Sequence, residues 1–252
     1  MNLGGDYAVV IPAYNESAAI REVALGALRH LGAVIVVDDG SSDGTAEKLS
    51  NLPVTLLRHS ANLGKAASLW HGMQAALNLG AKGIVTMDGD GQHDPDDIPR
   101  LIIAAENQPN RLVIGSRLWN REAIPKARYF ANRFANFWIA WASGQVIEDS
   151  QSGFRVYPAQ LIRRCRFDPG RDKGFVFESE IIIEADRHGF SCAFLPVRTM
   201  YPENARPSHF RPVRDIAGIT RMVAWRLLSR GFFLSGLWRS LNGVQSVKSE
   251  NL

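Results

Sequence analysis

Apolar residues along this chain come in short β-branched runs, and longer stretches of helical period separate them. Tyr7 to Pro12, Val34 to Val37, Val54 to Arg58 and Gly83 to Met87 read as strands. Their near-continuous apolar character is that of parallel strands covered on both faces. Helices are expected from Ala18 to Leu31, with Ser17 as N-cap, then from Ala46, from Lys65 through Leu79, and from Asp96 to Asn107. Val113 and Ile114 open a further strand that ends at Gly115-Ser116-Arg117. The alternation predicts an α/β, Rossmann-like fold with a mostly parallel sheet flanked by helices. Every polar cluster in this half follows a strand, and open sheets bind ligands beyond the carboxyl ends of their strands.

The pattern changes after Arg117. Pro125 to Gly144 predicts a helix crowded with Tyr129, Phe130, Phe134, Phe137, Trp138 and Trp141, read as packing on the sheet. A polar loop, Asp149 to Arg155, enters apolar Val156 and Tyr157. Phe175 to Ala185 reads as a helix carrying Glu178, Glu180 and Glu184, Phe190 to Val197 as a late strand, and Tyr201 to Pro212 as a loop. Arg214 to Leu241 predicts a helical tail with Ile216, Ile219, Val223, Leu227, Leu234, Leu237, Trp238 and Leu241 on one stripe. The expected organisation is a main domain over residues 1–212 and an amphipathic helical tail over 213–252.

Charge sharpens the reading of that tail. The 252 residues carry a formal net charge of +4. Residues 205–242 hold seven arginines and one acid, Asp215, for a net of +6, so the remainder carries −2. A basic amphipathic segment with Trp and Phe suits an anionic membrane interface. Packing on the main domain or on a partner protein is the other reading. No uncharged apolar run approaches the ~20 residues that span a bilayer, and the first residues lack a signal-peptide pattern. Cys165 and Cys192 are isolated thiols, which speaks against a disulfide framework or a zinc site and for a reducing compartment. The expected location is the cytoplasm, with peripheral attachment to the cytoplasmic face of a membrane.

The chemistry gathers where the Gly83–Met87 strand runs into Asp88-Gly89-Asp90-Gly91-Gln92-His93-Asp94-Pro95. Two close carboxylates repel and are costly to desolvate unless a cation lies between them. Asp88, Asp90 and Gln92 are therefore candidate ligands of a hard divalent ion, Mg²⁺ or Mn²⁺. A solvated acidic turn is the competing explanation. A second acidic strand end, Asp38-Asp39, favours the metal site.

Taken together, these segments resemble the family 2 glycosyltransferases. The resemblance rests on Val10 to Glu16, Val37 to Thr45, Asn62 to Lys65, Asp88 to Pro95, Gly115 to Arg117 and Asp149 to Arg155. Their order resembles the branch containing dolichol-phosphate mannosyltransferase and bacterial polyprenyl-phosphate glycosyltransferases. It implies a GT-A fold, a UDP- or GDP-sugar donor, a divalent cation, a lipid-linked acceptor and inversion at the anomeric carbon. By resemblance, Pro12, Tyr14, Glu16, Asp39 and Lys65 line the nucleotide pocket, with Asp88 near the ribose or the metal. Arg117 and Arg133 are candidate diphosphate partners, because a guanidinium gives two parallel hydrogen bonds to phosphate. Asp149 is the first candidate for a base and Glu180 a weaker one; a phosphate acceptor needs none. Branch members often carry C-terminal transmembrane helices, and this chain shows none.

Three other classes compete. A nucleotidyltransferase wants a Gly-rich basic loop after the first strand, where this chain has Ala13-Tyr14-Asn15-Glu16. A nucleotide-binding module without catalysis would not need Asp88, Asp90 and Gln92 intact. Nucleic-acid binding is suggested only by the tail's arginines, so no nucleic-acid partner is expected. A soluble saccharide remains an alternative acceptor.

Overall fold

The computed structural model describes residues 5–118, 126–167, 176–200 and 212–242. Seven strands form one sheet: β1 (Tyr7–Ala13), β2 (Val34–Asp38), β3 (Thr55–Arg58), β4 (Gly83–Thr86), β5 (Arg111–Ser116), β6 (Arg155–Pro158) and β7 (Ser191–Pro196). Their order is β3-β2-β1-β4-β6-β5-β7. All pairings are parallel except those of β6, which runs antiparallel to both β4 and β5. The expected mostly parallel α/β sheet is therefore present, with one reversed strand that the residues did not announce.

Alternate residues of every strand but the exposed β3 feed two cores. Val10, Ile35, Val37 and Ile84 pack with α2 (Lys65–Asn78), α4 (Lys126–Ser143) and α6 (Val176–Arg187) on one face. Val9, Ile11, Val34, Val36 and Val85 pack with α1 (Ile20–Leu28) and α3 (Ile98–Glu106) on the other. Both faces are covered, which is why these strands read as unbroken apolar runs. α5 (Ala159–Arg164) follows β6 directly.

Several boundaries depart from expectation. Ser17 does not cap α1; its amide donates to Asp43 Oδ2, and the helix starts at Ile20. The helix expected from Ala46 is only a 3-10 turn, Glu47–Leu49. The helix expected from Asp96 begins as a 3-10 turn, Pro95–Asp97, capped by Asp94. The predicted starts at Pro125 and Phe175, and all but Pro212 of the loop expected at 201–212, lie outside the described residues; Pro212 begins a helix.

The tail is two helices rather than one: α7 (Pro212–Leu228) and α8 (Leu234–Asn242). Phe232 and Phe233, with φ of 62° and 43°, break the chain between them. Ile219, Val223 and Leu227 are buried in the same core as Ile181 and Ile182 of α6. Arg226 and Arg239 of the tail turn inward, while Arg221 stays exposed. Arg226 pairs with Glu180 and Glu184 of α6 at 2.7 and 2.6 Å, and Arg239 with Asp186 at 3.0 Å. The first half of the predicted stripe is thus a core seam. No helix of the described residues is long and apolar enough to cross a membrane.

Candidate active site

The polar clusters converge at the carboxyl ends of β1, β2, β4 and β5. The loop after β1 is pinned to the loop after β2 by short side chains. Ser41 Oγ accepts from Asn15 N, Thr45 Oγ1 from Glu16 N, and Asp43 Oδ2 from Ser17 N, at 2.8, 2.8 and 3.1 Å. Asn15, at φ 55°, makes the sharp turn, and its Oδ1 accepts from Ser42 N in return. Much of the Asp38-to-Thr45 motif is therefore architecture that holds Tyr14 and Glu16 beside the site. Pro12 lies buried in β1, in register with Val37. Asp38 accepts from Ser41 N and pairs with Arg58.

Asp39 has both carboxylate oxygens engaged. Oδ1 accepts from Leu63 N and Oδ2 from Gly64 N, each at 2.8 Å. Gly64 then starts α2, which places Lys65. The Lys65 ammonium lies 2.7 Å from Asp88 Oδ1 and 3.0 Å from Glu178 Oε1. Burial would raise the Asp88 carboxyl, but Lys65 and then the other neighbouring cations outweigh it and hold it down at about 2. Lys65 itself, despite burial, is pushed up by its two carboxylates. Gly153 faces Asp88 so closely that a Cβ there would lie 2.8 Å from Asp88 Oδ2.

Asp90 is different. Burial, then the charge of Asp88, push its carboxyl above the usual range. Its Oδ1 accepts from Gln92 N at 3.0 Å. His93 is buried; its Nδ1 accepts from the Asp88 amide at 3.1 Å, and its ring stacks on Phe154. Burial holds His93 down at about 4, so it is neutral and shapes the loop.

Arg117 lies across from this cluster. Its backbone amide and its Nε both donate to Asp149 Oδ2, at 3.0 and 3.2 Å. Asp149 is fully buried, and Arg117 more than offsets the cost of burying its charge, which keeps the carboxyl below its ordinary value. Buried Arg155 donates to the carbonyls of Ser152, Glu178 and Ser150 at 2.7, 2.6 and 2.8 Å. It ties the loop before β6 to α6 and so aims Glu178 at Lys65.

The structure brings Lys65, Asp88, Asp90, Arg117 and Asp149 into one electrostatically coupled cluster. It does not bring Glu180, which bonds Arg226 on α7. Arg133 is exposed on α4. The residue that sequence reasoning passed over is Glu178. It shares the buried face of α6 with Ile181, Ile182 and Ala185, three, four and seven positions on. That spacing marks a helix face, and a glutamate within it was the available signal.

Residues 8–165 match the family model of Glycosyl transferase family 2. The chain belongs to this family and is a glycosyltransferase. A Methanococcus voltae UDP-N-acetylglucosamine–dolichyl-phosphate N-acetylglucosaminyltransferase is 30% identical over 216 residues, covering 77% of this chain and 86% of that one. The polyprenol monophosphomannose synthase of Mycolicibacterium smegmatis is 28% identical over 201 residues, 75% of each chain. Among solved structures, Mycobacterium tuberculosis glucosyl-3-phosphoglycerate synthase, in complex with Mn²⁺, UDP and glucosyl-3-phosphoglycerate, superposes with a TM-score of 0.60. That match, at 22% identity, covers 90% of this chain and 80% of that one, and it establishes the GT-A-like fold.

Proposed function

We propose that this glycosyltransferase moves a sugar from a nucleoside diphosphate to a polyprenyl phosphate at a membrane surface. The observation that carries the acceptor half is the state of the carboxylates. A sugar hydroxyl needs a base to take its proton. Asp149 is committed to Arg117, Glu178 to Lys65, and Glu180 to the tail. A phosphate monoester is already ionised and asks for none of them. The names of the two relatives above point to the same acceptor class.

Asp88, Asp90 and Gln92 fit a divalent cation, Mg²⁺ or Mn²⁺. Among the described residues no three His, Cys, Asp or Glu side chains gather as a protein-only metal cage. Two carboxylates and an amide instead suit an ion that keeps waters and takes oxygens from a bound diphosphate. The raised Asp90 carboxyl marks negative charge that a cation would relieve. Such an ion, when bound, would neutralise charge on the departing diphosphate. The chain's own residues do the rest. Lys65 holds Asp88 ionised, and Asp149 holds Arg117 where its guanidinium can take the diphosphate oxygens. The acceptor oxygen bonds to the anomeric carbon as the bond to the diphosphate breaks, a single displacement that inverts the centre.

An exposed apolar face supports a lipid acceptor. Phe130, Phe134 and Phe137 of α4, and Trp225, Leu228, Phe232, Leu234, Trp238 and Leu241 of the tail, are exposed. α4 and the tail are joined by a bond from Trp141 Nε1 to the Phe232 carbonyl, 3.0 Å. On its other side α4 supports the acceptor loop: Asn136 donates to the Glu148 carbonyl and accepts from Ser150. The same helix thus carries an apolar outer face and the loop that holds Asp149. Apolar burial and scattered basic residues suit peripheral attachment.

The test is transfer of labelled sugar from a panel of UDP- and GDP-sugars to polyprenyl phosphate in anionic liposomes, with Mn²⁺ or with chelator. Lipid-phase label that depends on metal is expected. Label entering only soluble saccharides would refute the acceptor.

A further inference from the structure

The chemistry around Asp88 leaves two histidines unused. His59 follows β3, His71 lies on α2, and both are partly buried. His59 Nδ1 is 2.7 Å from Asp39 Oδ1, so that nitrogen carries a proton and donates it. In the neutral ring His59 Nε2 is then an acceptor. It lies 2.9 Å from His71 Nδ1, which must be the donor. The rings meet edge to face with centroids 5.0 Å apart. Asp39 in turn accepts the Leu63 and Gly64 amides. Gly64, at φ 98° and ψ 158°, is in a conformation reserved for glycine, and Lys65 follows it onto Asp88. Gly40, at φ 72°, lets the loop close over β2, because a Cβ there would sit 2.7 Å from the Ala61 carbonyl carbon. An unbroken line of contacts runs from His71 to the carboxylate assigned to the metal.

We propose that His59 and His71 are positioning residues of the donor site. They orient Asp39, and with it the turn from residue 62 to 65, in the form that binds nucleotide, and they release it on acidification. The proposal rests on the nucleotide-sugar reading above. One added proton leaves an N–H between the two rings. A second puts N–H against N–H at 2.9 Å, with two positive charges in contact. The break comes with the second proton.

The other charged groups around the pair are already matched. Asp38 and Glu47 face Arg58, and Lys65 faces Asp88 and Glu178. Among the described residues, Asp39 is the charged group paired with them. Burial, then His59, hold His71 below the ordinary histidine value of 6.5. The folded form therefore favours neutral His71. Its contribution is complete above that value and is lost as pH falls through the lower, folded one.

The experiment is calorimetry of UDP and GDP with Mn²⁺ at about pH 8 and about pH 5.5, either side of the ordinary histidine range. Wild type is expected to lose about tenfold in affinity, the worth of one charge-assisted bond. His71→Asn keeps a donor at the Nδ1 position but does not titrate. It should match wild type at the higher pH and lose most of the acid drop; what remains belongs to Asp90 and the phosphates. His71→Leu should bind about tenfold more weakly already at the higher pH. Equal binding by His71→Leu, or an unchanged acid drop in His71→Asn, overturns the proposal. Imidazole nitrogen NMR of the nucleotide-free protein gives an independent decision. Both rings should be Nδ1–H tautomers at about pH 8, and Gly64 amide protection should fall in His71→Leu. An Nε2–H tautomer at His59, or unchanged Gly64 exchange, also overturns it. If wild type binds neither nucleotide, the donor reading fails, and the tautomers still decide the relay.

Discussion

Asp149 receives the backbone amide and the guanidinium of one residue, Arg117, on a single carboxylate that is fully buried. A residue gripped twice cannot swing, so Asp149 fixes both where Arg117 starts and where it points. Asp149→Asn keeps an acceptor for the amide but leaves a buried guanidinium without its counter-charge. The expected cost is about 3 kcal/mol of stability and at least tenfold in kcat. The acid limb of the pH–rate profile should keep its shape. If Asp149 were the base, that limb would disappear in the variant.

Asp90→Asn should separate stability from activity. The Asp90 carboxyl is raised by burial and by Asp88, so its charge opposes folding in the metal-free protein. A carboxyl raised above its unfolded value contributes stability at low pH, and the contribution is lost as pH rises through the folded value. At neutral pH the metal-free variant should therefore melt no lower than wild type. It should also lose the rise in Tm that Mn²⁺ gives wild type, together with transfer. Thermal melts with and without Mn²⁺, run beside transfer assays, check this. A variant that keeps the Mn²⁺ response removes Asp90 from the metal.

Lys65→Met should be costly in a way that Glu178→Gln is not. Removing Lys65 leaves Asp88 and Glu178 facing each other without a cation, a loss of about 3–5 kcal/mol. Glu178→Gln leaves Lys65 paired with Asp88, and should cost about 1–2 kcal/mol. Chemical denaturation measures both. Equal losses would mean that Glu178, and not Asp88, is the partner Lys65 depends on.

The tail divides into two roles that different variants reach. Leu227→Ala opens a hole in a core seam and should cost about 2–5 kcal/mol, with liposome binding per folded molecule unchanged. Phe134→Ser with Trp238→Ser should leave the melt within a degree or two and weaken co-sedimentation with anionic vesicles. Unchanged vesicle binding by that pair would end the membrane role of this face.

The first half of the fold was legible because its signals are local. Val34 to Val37 followed by two aspartates is a strand and its polar carboxyl end, whatever lies elsewhere. The second half depends on partners far apart in sequence. Arg226 reads as a membrane charge until Glu180 and Glu184 are seen beneath it. Glu180 reads as a candidate for the site, while Glu178, two residues earlier, points into it, because α6 turns about 100° per residue. The reversal of β6 escaped for a related reason. Four residues of strand carry no mark of direction.

That reversed strand has a consequence for how the enzyme diversifies. In a parallel strand, the segment that follows borders the ligand; in β6 it is the segment that precedes. The chain thus meets Asp88 twice, once leaving β4 and once entering β6, with Gly153 against its carboxylate. On the proposed function, residues up to Asp90 serve the donor side and the stretch from Asn136 to Gly153 the acceptor side, with the sheet between them as a fixed spine. Rewriting the entry loop would then alter the proposed acceptor side without shifting the register of β1, β2 or β4. On that reading, the surface that meets the acceptor can vary while the sheet end that meets the donor stays as it is.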